Sequence, residues 1–330
     1  MKNLNYLLIG LMLITFSIAS FGQEGTYTLV IHGGAGNIAR ENISEEREKE
    51  YHDKLNEALA AGEAILAEGG NSLDAVEAAV RILEDSPLFN AGKGAVFNYE
   101  GKNELDASIM CGNTMDAGAV AGVTTIRNPI SGARKVMENS PHVMLTGKGA
   151  EQFCYDQGMD IVDPSYFFDQ RRWEQYRNFL RRRQERGALE DNPSLGTVGA
   201  VALDMQGNLA AATSTGGMTG KRFGRIGDSP VIGAGTYARN GAGAVSATGH
   251  GEFFIKHVVA YDIIAQMLYL DRSIDEAAML LIHEVLGEME VNGGVIAVDK
   301  DGNISMPFNT TGMFRGYVKS TGETGVMIFE

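Results

Sequence analysis

Residues 196–217 read GTVGAVALDMQGNLAAATSTGG, and how this stretch folds decides how the rest of the chain is read. Two apolar runs, 197–203 and 209–215, flank Gln206-Gly207-Asn208, a turn signal that predicts a β-hairpin. Residues equidistant from Gln206 then face each other, which pairs Thr197 with Thr215 and brings two hydroxyls together. A threonine that follows a glycine on a sheet, with a second hydroxyl beside it, is the layout an N-terminal-threonine nucleophile needs. Threonine is also an ordinary strand residue, and Thr–Thr pairs stabilise many sheets. The hairpin alone does not choose between these readings.

Composition narrows the class. The chain has 330 residues, 44% hydrophobic and 21% charged, as in soluble globular proteins. Its 42 glycines against 7 prolines sit beside apolar runs, so they predict tight turns and close backbone approaches. A net charge of −14 supplies no positive field, and nucleic acid and anionic membrane are not expected partners. Cys111 and Cys154 are the two cysteines, too few for a disulfide framework, and they are expected as buried free thiols. The His and Cys spacing matches no zinc site.

The first residues pattern as an export signal. Lys2 gives a basic start, residues 6–19 an apolar stretch, and Ser20-Phe21-Gly22 a small-x-small cleavage site before Gln23. The apolar stretch is shorter than the ~20 residues of a spanning helix. Residues 1–22 are therefore expected to be removed, leaving an exported, periplasmic or secreted protein.

Beyond the signal, 27–32 (YTLVIH) predicts a buried strand ending at Gly33-Gly34-Ala35-Gly36. Residues 45–68 and 73–84 predict helices, the second capped by Asn71 or Ser72. An irregular loop, PLFNAGKG, follows at 87–94. Strands are expected at 104–111 and 117–126, and helices near 131–138 and 149–157. Seven arginines fall between 171 and 186, which reads as an RNA-binding arm or, given the acidic whole, as a solvated helix. The polar segment 188–196 is expected to be a flexible linker ending at Gly196. VALDMQGNLAA (201–211) and IAVDKDGNISM (296–306) repeat one hairpin pattern, with long helices expected at 250–268 and 273–286. Blocks of strands alternating with helix pairs predict two packed sheets covered by helices, an α+β, four-layer αββα sandwich in one domain, 23–330.

Two Gly-rich turns carry candidate chemistry. In GRIGDSP (224–230), Arg225 and Asp228 are placed to hold an α-carboxylate and an α-ammonium, or to form a structural ion pair. In ATGHGE (247–252), backbone N–H groups and the Thr248 hydroxyl end a strand and open a helix, as an oxyanion hole does. Taken alone, the latter is only a Gly-rich turn.

HGGAG (32–36), PLFNAGKGAVF (87–97), GTVGAVALD (196–204), TSTGGMTGK (213–221), GRIGDSP, GAGTYA (233–238) and TGHGE (248–252) together resemble the plant-type L-asparaginase/isoaspartyl peptidase family of N-terminal-nucleophile hydrolases. The resemblance covers nearly the whole mature chain. It implies self-cleavage between Gly196 and Thr197 into an α subunit (23–196) and a β subunit (197–330), with Thr197 as nucleophile. Thr215 then hydrogen-bonds the nucleophile, and Asn90 steadies its amino group. Arg225 and Asp228 clamp the substrate, Thr248 and Gly249 form the oxyanion hole, and Gly251 lines the substrate site. The resemblance also implies no cofactor for catalysis and a dimer of αβ units. A structural sodium would be held by backbone carbonyls of Leu83, Glu84, Ser86, Phe89, Ala91 and Lys93. The expected activity is hydrolysis of β-aspartyl dipeptides and of the asparagine side-chain amide. The alternatives are a glycosylasparaginase, in which Asp stands at the position of Gly196, and a non-catalytic binder of acidic amino acids.

The Thr197 hydroxyl needs a base, and a free α-amine with a pKa of ~7.7–8.0 serves at neutral pH where a lysine does not. That amine exists only once the bond before Thr197 is broken.

Overall fold

The computed structural model describes residues 25–186 and 196–329, so the export-signal reading and residues 187–195 of the linker lie outside it. Among the described residues the strands are β1 (Thr28–Gly36), β2 (Leu105–Cys111), β3 (Ala117–Val123), β4 (Met144–Thr146), β5 (Val198–Leu203), β6 (Leu209–Thr215), β7 (Thr236–Arg239), β8 (Gly243–Gly249), β9 (Gly293–Asp299), β10 (Ile304–Ser305), β11 (Gly312–Lys319) and β12 (Thr324–Met327). They make an eight-stranded sheet, ordered β12-β11-β1-β5-β6-β2-β3-β4, and a four-stranded sheet, ordered β10-β9-β8-β7. Helices α1 (Glu45–Ala67), α2 (Ser72–Glu84), α3 (Pro129–Asn139) and α4 (Gly147–Asp156) pack on the larger sheet. Helix α5 (Gln170–Arg186) lies over the loop that follows α2. Helices α6 (Gly251–His257), α7 (Val259–Leu270) and α8 (Ile274–Met279) belong to the half built on the smaller sheet. The result is the αββα sandwich.

Alternation along the central strands explains the layering. On β5, Val198, Ala200 and Ala202 join the core under α1–α3, while Val201 and Leu203 join the core between and beyond the sheets. Both faces are buried, so the strands read as near-continuous apolar runs. The hairpin has the expected register: Val198 faces Ser214 and Leu203 faces Leu209. Its turn is built by Asp204, whose Oδ1 accepts from the N–H groups of Gln206 (3.0 Å) and Asn208 (2.8 Å). Asp299 does the same for Asp301 and Asn303 in the β9–β10 hairpin, so the sequence repeat is a structural one.

Several expectations need correction. The first strand does not stop at the glycines; β1 runs through Gly36 with its register broken between His32 and Gly34. Missing side chains at Gly33 and Gly34 let the strand pass close to the Phe89 ring and the Gly196 backbone. The strand expected to reach Ile126 ends at Val123. The helix expected over 250–268 is broken at Val258, which has φ +49°. Restarting there lets Ala260 and Tyr261 donate to the carbonyls of Ala234 and Gly233, which supplies acceptors at the new helix N-terminus. The helix after Ser273 opens with a full capping box to Glu276 and passes through a π-helical stretch, Leu280–Val285.

The arginine-rich helix is not simply solvated. Tyr176 and Phe179 bury against Phe97. Buried Arg172 donates from Nε to the Gly94 carbonyl at 2.8 Å, and Arg171 donates to those of Pro87 and Leu88. Cys154 is buried and Cys111 half-buried; both are free thiols.

Asp204 also ties the hairpin to the helix layer, because its Oδ2 accepts from the Ser72 N–H that begins α2, at 2.9 Å. Asp204→Ala orphans these donors and is expected to cost about 2–3 kcal/mol of stability, measured by urea denaturation.

Candidate active site

The open end of the hairpin carries the nucleophile candidate. Thr197 Oγ1 donates to Thr215 Oγ1 at 3.0 Å, and Thr215 Oγ1 also accepts from the Gly217 N–H at 3.0 Å. Thr215 is buried, whereas Thr197 is half-buried at the mouth of the sheet. The adjoining peptide bond is fixed from the other side: the Gly196 carbonyl accepts from the Asn90 N–H at 3.0 Å. Asn90 is in turn held by the whole loop. Its Nδ2 donates to the Gly217 carbonyl at 2.7 Å, its Oδ1 accepts from Val96, and its carbonyl accepts from Gly216.

Glycine is required at this bond for a steric reason. Gly196 has φ +159°, at the edge of the region that residues with a side chain rarely adopt. A Cβ there would lie 2.9 Å from Asn90 Cβ, and a Cβ on Gly34 would lie 2.3 Å from Gly196 Cα. Beside this crossing, the Ala35 N–H donates to Thr248 Oγ1 at 3.4 Å. One bulged strand therefore joins the Gly196 backbone to the candidate oxyanion residue.

Arg225, Asp228 and Gly251 form the second cluster. A Cβ on Gly251 would sit 2.8 Å from Asp228 Oδ1 and 2.9 Å from Arg225 Nη2, so only glycine fits between them. Gly249 is equally constrained, because its Cβ would meet the Phe254 ring at 2.4 Å. Arg225 does not pair directly with Asp228, as its ion pair is with Glu252. Its Nε and Nη2 donate to the two Glu252 carboxylate oxygens at 2.9 and 2.8 Å. Those bonds hold the Glu252 carboxyl below its usual range. Burial pushes the Asp228 carboxyl up to about 7, with Arg225 offsetting part of the effect. Asp228 Oδ2 is buried and has no hydrogen-bond partner among the described residues. A buried carboxylate oxygen left without a donor is costly, and a ligand ammonium would supply one.

Several side chains around this site have partners that no local motif reveals. Glu252 lies within the TGHGE motif, but nothing local says that it reaches Arg225. Lys221, from TSTGGMTGK, is buried with its Nζ 3.5 Å from Asp106 and 3.1 Å from the Glu104 carbonyl. His32 is fully buried, and burial pulls its pKa down to about 3 despite a backbone contact with Thr197. Glu84 ends α2 and accepts from Ser214 Oγ (2.6 Å) and the Ile130 N–H (2.9 Å); burial pushes its carboxyl up to about 8. These partners are distant in sequence, so no spacing rule reveals them.

An asparaginase family model matches residues 25–328. The chain is 50% identical over 312 residues to the isoaspartyl peptidase of Escherichia coli (strain K12), an overlap covering 92% of this chain and 96% of that protein. The isoaspartyl peptidase of Salmonella typhimurium is 50% identical over 308 residues, covering 90% and 97%. The human isoaspartyl peptidase/L-asparaginase is 42% identical over 287 residues, covering 86% and 91%. This chain belongs to the asparaginase family, and its sandwich is the N-terminal-nucleophile hydrolase fold.

His32 stays neutral in the folded chain, whereas an unfolded histidine takes up a proton below about pH 6.5. Its contribution to stability is present above pH 6.5 and is lost as pH falls toward 3. Urea titrations across this range are expected to show that His32→Gln loses less stability on acidification than the parent chain.

Proposed function

We propose that this protein is a hydrolase that cuts its own Gly196–Thr197 bond and then hydrolyses β-aspartyl dipeptides and the side-chain amide of L-asparagine. The observation that carries the reading is the Thr197 hydroxyl on Thr215 at 3.0 Å, beside a Gly196 carbonyl already held by the Asn90 N–H. In self-cleavage Thr197 Oγ attacks that carbonyl carbon, and the acyl group moves from nitrogen to oxygen. Asn90 N–H donates to the oxygen that gains negative charge. Water then splits the ester, leaving a Gly196 carboxylate and a Thr197 α-amine.

In turnover the new amine takes the hydroxyl proton as Oγ attacks the substrate β-carbonyl. Thr248 and the Gly249 N–H face the developing oxyanion. The amine returns the proton to departing ammonia or amino acid, and water hydrolyses the β-aspartyl ester. Arg225 takes the α-carboxylate with N–H groups not used on Glu252, and Asp228 Oδ2 takes the α-ammonium. Recognition through the α-groups makes the leaving group secondary, which is why one site accepts both an amide and a dipeptide. The substrate class agrees with the names of the relatives.

The loop after α2 also fits a sodium ion. Its carbonyls close tightly on two glycines: a Cβ on Gly92 would lie 2.3 Å from the Glu84 oxygen, and one on Gly94 would lie 2.0 Å from the Phe89 oxygen. Backbone oxygens of Leu83, Glu84, Ser86, Phe89, Ala91 and Lys93 would hold the ion and thereby stiffen the loop that carries Asn90. An export signal at 1–22, a periplasmic or secreted location and a dimer of αβ units complete the reading. Support for these comes from the N-terminal sequence pattern and the family resemblance.

Intact-mass and N-terminal analysis of purified protein is expected to find two fragments meeting at Gly196–Thr197, and Thr197→Ala is expected to stay whole. One uncut, folded chain would overturn the maturation step. Arg225→Lys, which loses the bidentate fork, is expected to mature but to lose about tenfold or more in kcat/KM on β-aspartyl-leucine. Turnover confined to glycosylated asparagine, or aspartate binding without turnover, would replace the assignment.

The free-enzyme carboxyl of Asp228 titrates near 7, and its ionised form is the partner of the α-ammonium. A pH profile of kcat/KM is therefore expected to fall as pH drops through about 8, where the Thr197 α-amine (~7.7–8.0) protonates, and to steepen below about 7 as the Asp228 carboxyl protonates as well.

A further inference from the structure

Between the two sheets, under the site, runs a chain of buried hydroxyls that the proposed reaction does not use. Ser108 Oγ (β2) lies 2.6 Å from the Ser229 carbonyl and 2.8 Å from Thr236 Oγ1 (β7). Thr236 Oγ1 donates to Thr213 Oγ1 (β6) at 2.6 Å, and Thr213 donates to the Gly235 carbonyl at 3.0 Å. Ser246 Oγ (β8) is 2.7 Å from Thr213 Oγ1 and 3.0 Å from His32 Nε2 (β1). His32, Ser108, Thr213, Thr236 and Ser246 are all 0% exposed. The surrounding layer is otherwise apolar, so these groups are tolerated only because they satisfy one another.

The placement of these residues is the informative part. On a strand, residues two apart share a face. Thr213 is two residues from Thr215, Ser246 two from Thr248, and Ser108 two from Asp106, which pairs with Thr215 across the sheet. Gly199 is two from Thr197, and a Cβ there would lie 2.0 Å from Ser246 Oγ and 2.5 Å from His32 Nε2. Ser229, whose carbonyl anchors one end, directly follows Asp228. The chain thus forms a floor one strand step beneath the nucleophile, its hydroxyl partner, the oxyanion threonine and the clamp.

We infer that Ser246, Thr213, Thr236 and Ser108 are positioning residues that lock the substrate clamp and the oxyanion threonine, carried by one part of the fold, in register with the nucleophile on the eight-stranded sheet. Apolar packing between two sheets resists separation but only weakly resists sliding. Directional hydrogen bonds fix the sliding coordinate, and this coordinate sets the distance from Asp228 and Thr248 to Thr197. A shift of about 1 Å at a reacting centre costs about a hundredfold in rate. The inference rests on the hydrolase reading given above.

The test uses matured enzyme, with active sites counted from the fraction carrying N-terminal Thr197, assayed on β-aspartyl-leucine. Thr236→Val keeps the shape and removes the hydroxyl that links Thr213 to Ser108. It is expected to raise KM about tenfold with a smaller change in kcat, because β7, which the clamp segment leads into, loses its hydroxyl link to Thr213 on β6. Ser246→Ala is expected to lower kcat about ten- to hundredfold per active site with little change in KM. Thr236→Ser, which restores the hydroxyl, is expected to return KM to within about threefold of the parent. Should Thr236→Val fail to fold, Ser108→Ala breaks the same end and is expected to show the same rise in KM. Parent-like kcat and KM in Thr236→Val and Ser246→Ala overturn the inference, as does a Thr236→Ser variant as impaired as Thr236→Val. A parent enzyme that does not turn over the dipeptide defeats the hydrolase reading itself, a result distinguishable from either.

Discussion

The antiparallel pairing of β5 with β6 is the constraint on which the site depends. It places Thr197 and Thr215 at the open end of one hairpin, where two hydroxyls meet at 3.0 Å and the chain before Thr197 leaves the sheet. Everything nearby is arranged around that exit. Asn90 is carried on a loop braced by its own side chain, and its N–H reaches the Gly196 carbonyl. Glycines at 34 and 196 let a second strand cross at distances no side chain would permit. Gly196 also takes φ +159°, a conformation that residues with a side chain rarely adopt, so close approach and backbone conformation both favour glycine there.

Electrostatics at the clamp follow from burial. Asp228 is out of water and has no donor on Oδ2 among the described residues, and burial pushes its carboxyl up to about 7. A cation brought against Oδ2 would supply that partner and favour ionisation, which would couple proton release to its binding. Arg225 is meanwhile held by Glu252, whose two oxygens fix the guanidinium plane. A flexible cation is thereby oriented in advance, which lowers the ordering cost at binding.

The arginine-rich helix shows how composition misleads when read without packing. Its high charge reads as a solvated face, yet Tyr176 and Phe179 are buried, and Arg171 and Arg172 donate to carbonyls of the loop that bears Asn90. A guanidinium with several donors can be buried when backbone oxygens receive it. Burial pulls Arg172 down only to about 10, so it remains charged at neutral pH. The helix that ends at Arg186 is therefore joined to the same loop whose Asn90 N–H holds the Gly196 carbonyl.

Local rules carried much of this molecule. The hairpin register, the Thr197–Thr215 pair, the Asn71 cap of α2 and the repeated Asp-x-x-Gly-Asn turn hairpins follow from strand periodicity and turn chemistry, which act over a few residues. What sequence spacing did not contain is which distant groups meet. Asn90 reaches Gly196, Glu252 reaches Arg225, and Ser246 joins His32 to Thr213 only after two sheets and their loops have packed. The break at Val258 likewise answers carbonyls supplied by Gly233 and Ala234, on another element. Turn and strand preferences are properties of neighbouring residues, whereas these contacts depend on the layering of the whole sandwich. The sequence by itself determined the hairpin that carries Thr197 and Thr215; tertiary packing decided what surrounds it, because only packing brings residues from 27 to 214 positions apart within hydrogen-bond range.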